Sequence, residues 1–263
     1  MVTGPETGGA QLPTGSGDLE SRVALVTGGG TGLGLAISRD LVRQGFRVAV
    51  SYARSEAEAS GNVEELRTAG QAVSLHRADI AVDTDVDSLI EAVYEAHGRL
   101  DVVVNNAGHT RFVPFADIRT VDGTMWDEIM DVNLRGTYLV CRAAALRMLA
   151  AGGGAIVNIS SASGINPGGS SIPYAVSKAG IIHLTKMLAI ALAPRIRVNG
   201  IAPGLMLTRW WRGHEETADE FLNATRFKRA SDLDDIARAT VMLATNESMS
   251  GQTLVVDLAN AFH

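Results

Sequence analysis

Two hydrophobic periods alternate along this chain. Continuously apolar runs at 22–27, 47–51, 72–76, 101–105, 155–160 and 196–201 are short and rich in Val, Ile, Leu and Ala. Such runs read as strands buried on both faces. Between them, 35–44, 56–69, 83–97 and 125–150 carry apolar residues at helical spacing, as does a segment beginning near Pro173. Proline in a first helical turn, after Ser170 and Ser171 as possible caps, is a start signal. The crossovers are long enough for parallel pairing. The pattern predicts an α/β fold: a Rossmann-type, doubly wound parallel sheet with helices on both faces. Ligands of such a sheet gather at the carboxyl ends of its strands.

One joint in this alternation carries chemistry. The first strand runs into Thr27 and Gly28, then Gly30, Thr31, Gly32, Leu33 and Gly34 at the start of the first helix. Glycines let the backbone approach a pyrophosphate, and the helix N-terminus favours its charge. Gly28-x3-Gly32-x-Gly34 is a variant of the dinucleotide fingerprint. No Gly-Lys-Ser/Thr follows at the P-loop offset, which excludes that alternative. After the second strand, Tyr52-Ala-Arg-Ser55 offers no carboxylate for the ribose 2′-hydroxyl of NAD; the first acid, Glu56, already lies in the next helix. Arg54 and Ser55 are instead placed to hydrogen-bond a 2′-phosphate, so NADP(H) is expected over NAD(H). The ordinary alternative for Arg54 is a solvated charge at a helix entry. Beyond the third strand, Asp79 is placed to accept from an adenine amino group while Ile80 packs on the ring. A loop aspartate is also a common cap.

Composition narrows the class. With 263 residues, 46% hydrophobic and 20% charged, the chain fits one large α/β domain or two small ones. A net charge of −6 and a pI near 5.5 argue against a nucleic-acid or acidic-membrane partner. Cys141 is the only cysteine, so no intrachain disulfide forms, and it reads as a buried small hydrophobe. Residues 1–20 are rich in Gly, Thr and Pro and read as a disordered leader without a secretory signal, ahead of one domain at 21–263. No apolar run is expected to reach the ~20 residues of a membrane span, and a cytoplasmic location is expected. Neither a histidine pair nor an acidic cluster has metal-ligand spacing, so no metal is expected in catalysis.

Tyr174 and Lys178 stand four apart in the predicted helix, on one face. A phenol titrates near pH ~10, and an adjacent positive charge lowers an acid by about 1–3 units. The pair is a proton-transfer arrangement. An amphipathic helix also produces such pairs by chance, but this chain has only three lysines against twenty arginines. Asn133 is odd inside a helix, because its amide competes for backbone hydrogen bonds. A kink or a functional contact would justify it; a surface asparagine is as ready a reading.

Thr27-Gly-x3-Gly-x-Gly34, Asn105-Asn-Ala-Gly108, Asn133, Ser161, Tyr174-x3-Lys178 and Pro203-Gly204 with Thr208 occur in one order along the chain after the leader. In this the chain resembles the short-chain dehydrogenase/reductase family in its single-domain form. The resemblance implies a catalytic tetrad of Asn133, Ser161, Tyr174 and Lys178. Tyr174 would protonate a carbonyl oxygen or deprotonate an alcohol. Lys178 would hold the nicotinamide ribose and lower the tyrosine pKa, Ser161 would bond the substrate oxygen, and Asn133 would hold a water linking Lys178 to solvent. It also implies cofactor contacts from Asn106, Ala107 and Gly108, from Pro203 and Gly204, and from Thr208 at the carboxamide. Residues 205–229 become a lid over a small-molecule carbonyl or alcohol substrate. Of its adjacent tryptophans, one is expected to line the pocket and the other to pack on the fold. His109, Arg111, Asn166 and Ile172 are further candidates for the pocket.

Two departures from the family pattern bear on assembly, which the resemblance implies is a homotetramer with dimer contacts near 125–150 and 172–193. Asp257 is followed by Leu-Ala-Asn where the family has glycines, and the link from the last helix to Gly251 is short. The leading reading is an NADP(H)-dependent carbonyl reductase or alcohol dehydrogenase. Alternatives are a reductase of carrier-bound 3-oxoacyl thioesters, docking through Arg135, Arg142 and Arg147, and a non-catalytic dinucleotide sensor. An enoyl reductase would place lysine where Ile181 stands.

Overall fold

The computed structural model describes residues 22–261. The predicted leader at 1–20 lies outside the described residues. The first half runs β1 (Val23–Thr27), α1 (Gly32–Arg43), β2 (Arg47–Tyr52), α2 (Glu56–Thr68), β3 (Val73–Arg77), α3 (Asp83–His97) and β4 (Val102–Asn105). The second runs α4 (Gly123–Met130), a π-helical turn (Asp131–Gly136), α5 (Thr137–Ala150), β5 (Gly154–Ile159), α6 (Ile172–Leu192), β6 (Ile196–Pro203), α7 (Glu215–Ala224), α8 (Leu233–Thr245) and β7 (Thr253–Val256). The strands form one parallel sheet in the order β3-β2-β1-β4-β5-β6-β7. This is the expected doubly wound architecture.

Alternation along β1 divides the core. Ala24 and Val26 face one layer with Ile37 and Leu41 of α1 and Ile236 and Val241 of α8. Val23 and Leu25 face the other, with Leu89 and Val93 of α3 and Val140 and Ala144 of α5. Every residue of β1 is buried, because helices cover both faces. The strand order reverses beside β1, between β2 and β4. That switch point opens a crevice at the carboxyl ends of the strands.

The single long helix expected over 125–150 is interrupted at Asp131–Gly136. Asn133 lies at the centre of that π-helical turn and is fully buried, so its unusual placement marks a backbone irregularity of the kind found at functional sites. Gly136 allows close passage: a Cβ there would stand 2.9 Å from Ile80.

Three other readings shift. α6 begins at Ile172, with Pro173 in its first turn, but neither serine caps it through a side chain. Ser171 makes no such bond, and the Ser170 hydroxyl is paired with Thr110 Oγ1. Contrary to the membrane-span expectation, α6 is long and apolar enough to cross a bilayer by length and composition. One of its faces carries Lys178, Ile181 and Thr185 against the fold, while Val176, Met187 and Ile190 of the other face are exposed. At the C-terminal turn, Leu258 and Ala259 take left-handed backbone, with φ of 57° and 62°. The turn therefore keeps a conformation suited to glycine without the glycines.

Candidate active site

The crevice is a cavity of about 480 Å³ whose walls come from the loops after β1, β2, β3, β4 and β5, from α6, and from the lid. At its centre, Gly28 and Gly32 hold φ of +62° and +52°. A Cβ on Gly34 would stand 2.2 Å from Gly28 O, and one on Gly30 would stand 2.4 Å from the Ala59 methyl. Only glycine lets this loop fold so tightly. The α1 N-terminus receives no side-chain cap from Thr31 and has no acid in its first turn. Its amides therefore remain available to an anion. These features fit a dinucleotide pyrophosphate.

Thr27 belongs to the frame of this loop. It is buried; its hydroxyl donates to Val104 O at 3.5 Å and accepts from Asn106 N and Ala107 N, each at 3.0 Å. Asn106 Nδ2 returns bonds to Thr27 O at 2.9 Å and Gly28 O at 3.2 Å. The β1 and β4 loops are thereby locked together, with Asn106, Ala107 and Gly108 in the cavity wall. Thr27, Pro203 and Gly204 are not wall residues; Gly204 is pressed against Asp257.

At one end of the cavity stand Tyr52, Arg54, Ser55, Asp79 and Ile80. Glu56, the nearest acid, is hydrogen-bonded to the Tyr52 hydroxyl. Asp79 Oδ1 accepts from Ala81 N at 3.0 Å, and Asp79 N donates to Asp85 Oδ2 at 3.0 Å. Asp79 is thus both a local turn-former and a lining residue.

At the other end, Tyr174 and Lys178 enter the cavity from the first two turns of α6. Lys178 is 4% exposed, and its Nζ donates to Ile159 O at 2.9 Å. Ser160 Oγ donates to Lys178 O at 2.7 Å, which fixes α6 against β5. Burial lowers the Lys178 pKa to about 8. Burial also pushes Tyr174 up to about 12, with a hydrogen bond from Ser161 acting in the opposite sense. The expected lowering of the tyrosine pKa is therefore not found. Nζ lies 5.6 Å from the Tyr174 ring centroid, and Lys178, at about 8, has lost its charge before Tyr174 titrates, so desolvation sets the direction of the tyrosine shift. Ser161 Oγ accepts from Ser163 N at 3.2 Å and lies 3.1 Å from Ser163 Oγ.

Asn133 meets this group differently from expectation. Its Oδ1 accepts from His109 N at 2.7 Å, and its Nδ2 donates to His109 O at 3.0 Å and Ser177 Oγ at 2.9 Å. Both amide hydrogens are engaged, so its side chain tethers the loop after β4 to α6 and has no donor left for a water.

The tryptophans divide as expected. Trp210 lines the cavity and stands edge-on to Tyr174, with ring centroids 6.4 Å apart. Trp211 packs on Phe112 at 4.9 Å and Phe221 at 5.6 Å, and its Nε1 donates to Met206 O at 2.8 Å. Thr208 lines the wall beside Gly32, and its Oγ1 accepts from Trp210 N at 3.4 Å. His109 reaches the wall; Arg111 is paired with Glu128 at 2.7 Å, and Asn166 Nδ2 donates to Asn260 O at 3.3 Å. Met206 and Arg209 are wall residues that the sequence reading missed. Nothing in the local sequence marks them, because the lid has no periodic pattern to say which side faces inward.

Comparison with known proteins agrees with this geometry. The family model for short chain dehydrogenases matches residues 22–219. A protein described as ketoacyl reductase 2 of the granaticin polyketide synthase, from Streptomyces violaceoruber, is 38% identical over 241 residues, spanning 90% of this chain and 95% of the relative. The 3-oxoacyl-(acyl-carrier-protein) reductase FabG of Staphylococcus aureus is 35% identical over 243 residues, spanning 90% and 97%. A crystal structure of a tryptophan variant of actinorhodin polyketide ketoreductase with NADPH superposes with a TM-score of 0.85 at 31% identity, covering 92% of this chain and 98% of that one.

Proposed function

As the chain belongs to the short-chain dehydrogenase/reductase family, we propose that it is an NADP(H)-dependent oxidoreductase acting between a ketone and a secondary alcohol, with Tyr174 as general acid and base. The observation that carries this reading is the meeting, in one cavity, of a glycine cradle with a half-buried tyrosine and a buried lysine.

A bound reduced nicotinamide supplies the hydride. The chain manages the proton and the developing alkoxide. Tyr174, kept protonated by burial up to about 12, donates to the carbonyl oxygen as that oxygen gains charge. Ser161, which stands within hydrogen-bond reach of the phenol, turns its hydroxyl hydrogen to the same oxygen. Lys178, at about 8, is mostly charged at neutral pH; it holds the nicotinamide ribose and stabilises the phenolate that remains. Asn133 keeps the loop after β4 in register with α6. Burial of Tyr174 keeps it in its acid form near neutrality.

NADP(H) preference is supported by Arg54 and Ser55 in the cavity wall, by the engagement of Glu56 with Tyr52, and by the NADPH of the actinorhodin ketoreductase structure. We take the working form to be a cytoplasmic homotetramer; exposed Tyr138 and Leu146 on α5, with Met187 and Ile190 on α6, supply apolar surface for subunit contacts.

A second reading, reduction of carrier-bound 3-oxoacyl thioesters, is favoured by the likeness to FabG. Against it, the arginines expected to dock an acidic carrier are already paired: Arg135 with Asp83 and Asp131, Arg142 with Asp83 and Asp87, and Arg147 with Glu91.

The test is an NADPH-oxidation screen over ketones, quinones, cyclic diketones, ketosteroids and 3-oxoacyl thioesters, with NADH in parallel. Expected are turnover of a free ketone with NADPH, a loss of about 10²–10⁴-fold in kcat for Tyr174→Phe, and a narrower NADPH preference for Arg54→Ala. Turnover of carrier thioesters alone would establish the second reading. Inactivity in both directions would leave a dinucleotide sensor.

A further inference from the structure

An ion pair fastens the lid to α2 beside the glycine cradle. Arg209, in the short lid turn Arg209–Trp211, donates from Nη1 to Glu58 Oε2 at 2.8 Å, joining residues 151 positions apart. Glu58 lies in the first turn of α2, next to Ala59, whose side chain packs against Gly30 of the cradle. Arg209 itself lines the cavity. On one side of it, Thr208 stands over Gly32; on the other, Trp210 lies beside Gly108 and edge-on to Tyr174. The segment Thr208–Trp210 therefore runs along the cleft from the cradle to the catalytic tyrosine. It is fastened by charge to α2 at Arg209. Neither Arg209 nor Glu58 forms another ion pair among the described residues, and both are partly exposed, at 32% and 44%. A pair in that setting opens readily.

We propose that Arg209 and Glu58 form a latch on cofactor exchange: positioning residues that set the rates at which NADPH enters and leaves, and not its affinity. This rests on the reading of the cavity as a dinucleotide site. A latch closed in both the empty and the loaded protein adds to the barrier for entry and for exit alike. Breaking it speeds both and leaves their ratio unchanged. A direct phosphate contact from Arg209 has a different signature, since its loss speeds release alone. A purely structural pair has a third, a lower Tm with a weaker Kd.

Removing one charge would also change the field felt by an anionic ligand, so the decisive variant keeps the net charge constant. NADPH association and dissociation are followed by stopped-flow tryptophan fluorescence in the wild type and in Glu58→Gln/Arg209→Gln, at low and at high salt. The expected result is a rise of about 2–5-fold in both kon and koff for the neutral double variant, with Kd within about twofold. High salt removes the difference between the variant and the wild type. A change in koff alone, a shift in Kd beyond about twofold, unchanged rates, or a difference that persists at high salt overturns the latch. Failure of the wild type to bind NADPH overturns the dinucleotide reading itself, and the latch with it.

Discussion

Raising the pH during carbonyl reduction should remove one functional proton from this site, and that proton belongs to Lys178. Burial sets Lys178 at about 8 and Tyr174 at about 12. Between pH ~6 and pH ~10 the charged fraction of Lys178 falls from about 99% to about 1%, while Tyr174 stays about 99% protonated. A neutral amine still donates to a ribose hydroxyl. At the ribose alone the loss is the difference between a charge-assisted and a neutral hydrogen bond, about 1–1.4 kcal/mol, or roughly five- to tenfold. The free enzyme's groups are reported by kcat/KM. Measured for NADPH, it should be flat below pH ~7, break near pH ~8, and settle roughly five- to tenfold lower by pH ~10. Lys178→Met should lower the plateau and abolish the break. In alcohol oxidation the base is the phenolate, a minor species throughout this range, so that rate should climb with pH. A reductive profile flat to pH ~10, or a break near pH ~8 that persists in Lys178→Met, refutes the assignment.

Three further outcomes are expected. Asn133→Ala removes three hydrogen bonds at a fully buried residue, so it should cost about 2–4 kcal/mol in urea unfolding; an unchanged midpoint would show that the tether is idle. Ala259→Gly should raise stability by about 0.5–1 kcal/mol, because relief of the left-handed backbone outweighs the added freedom of the unfolded chain; a lower Tm counts against it. His76 and His97 both lie 2.7 Å from Ser74 Oγ, and burial, then Arg67 for His76 and Arg47 and His76 for His97, lowers their pKa values. The unfolded chain then takes up these protons first, near pH ~6.5, so their stabilising contribution is present above that pH and lost as pH falls below it. His76→Gln/His97→Gln should flatten the acid limb of urea midpoints, and an unaltered limb would remove these residues from the account.

Local pattern and tertiary context explain different parts of the molecule. The buried parallel strands were legible because helices cover both faces of the sheet, so each strand is a continuous apolar run; α3 lies where its periodicity placed it, at Asp83–His97. The cradle was legible because close backbone approach admits only glycine at Gly30 and Gly34. Asn133 advertised a disturbance but not its kind. In the π-helical turn its side chain meets His109 and Ser177, which come from elsewhere in the chain. The apolar character of α6 was legible as helix and core, but not as a length sufficient for a bilayer, since its two faces serve different surroundings.

By itself, then, the sequence determined the strand and helix order, the glycine cradle, and the Tyr174–Lys178 pair, because each depends on near neighbours in the chain. Tertiary structure decided the properties that depend on distant ones. It set the direction of the Tyr174 shift, where desolvation outweighs the hydrogen bond with Ser161. It spent the Asn133 amide on a loop 24 positions away. It brought Arg209 of the lid to Glu58 of α2, a contact no local period could encode.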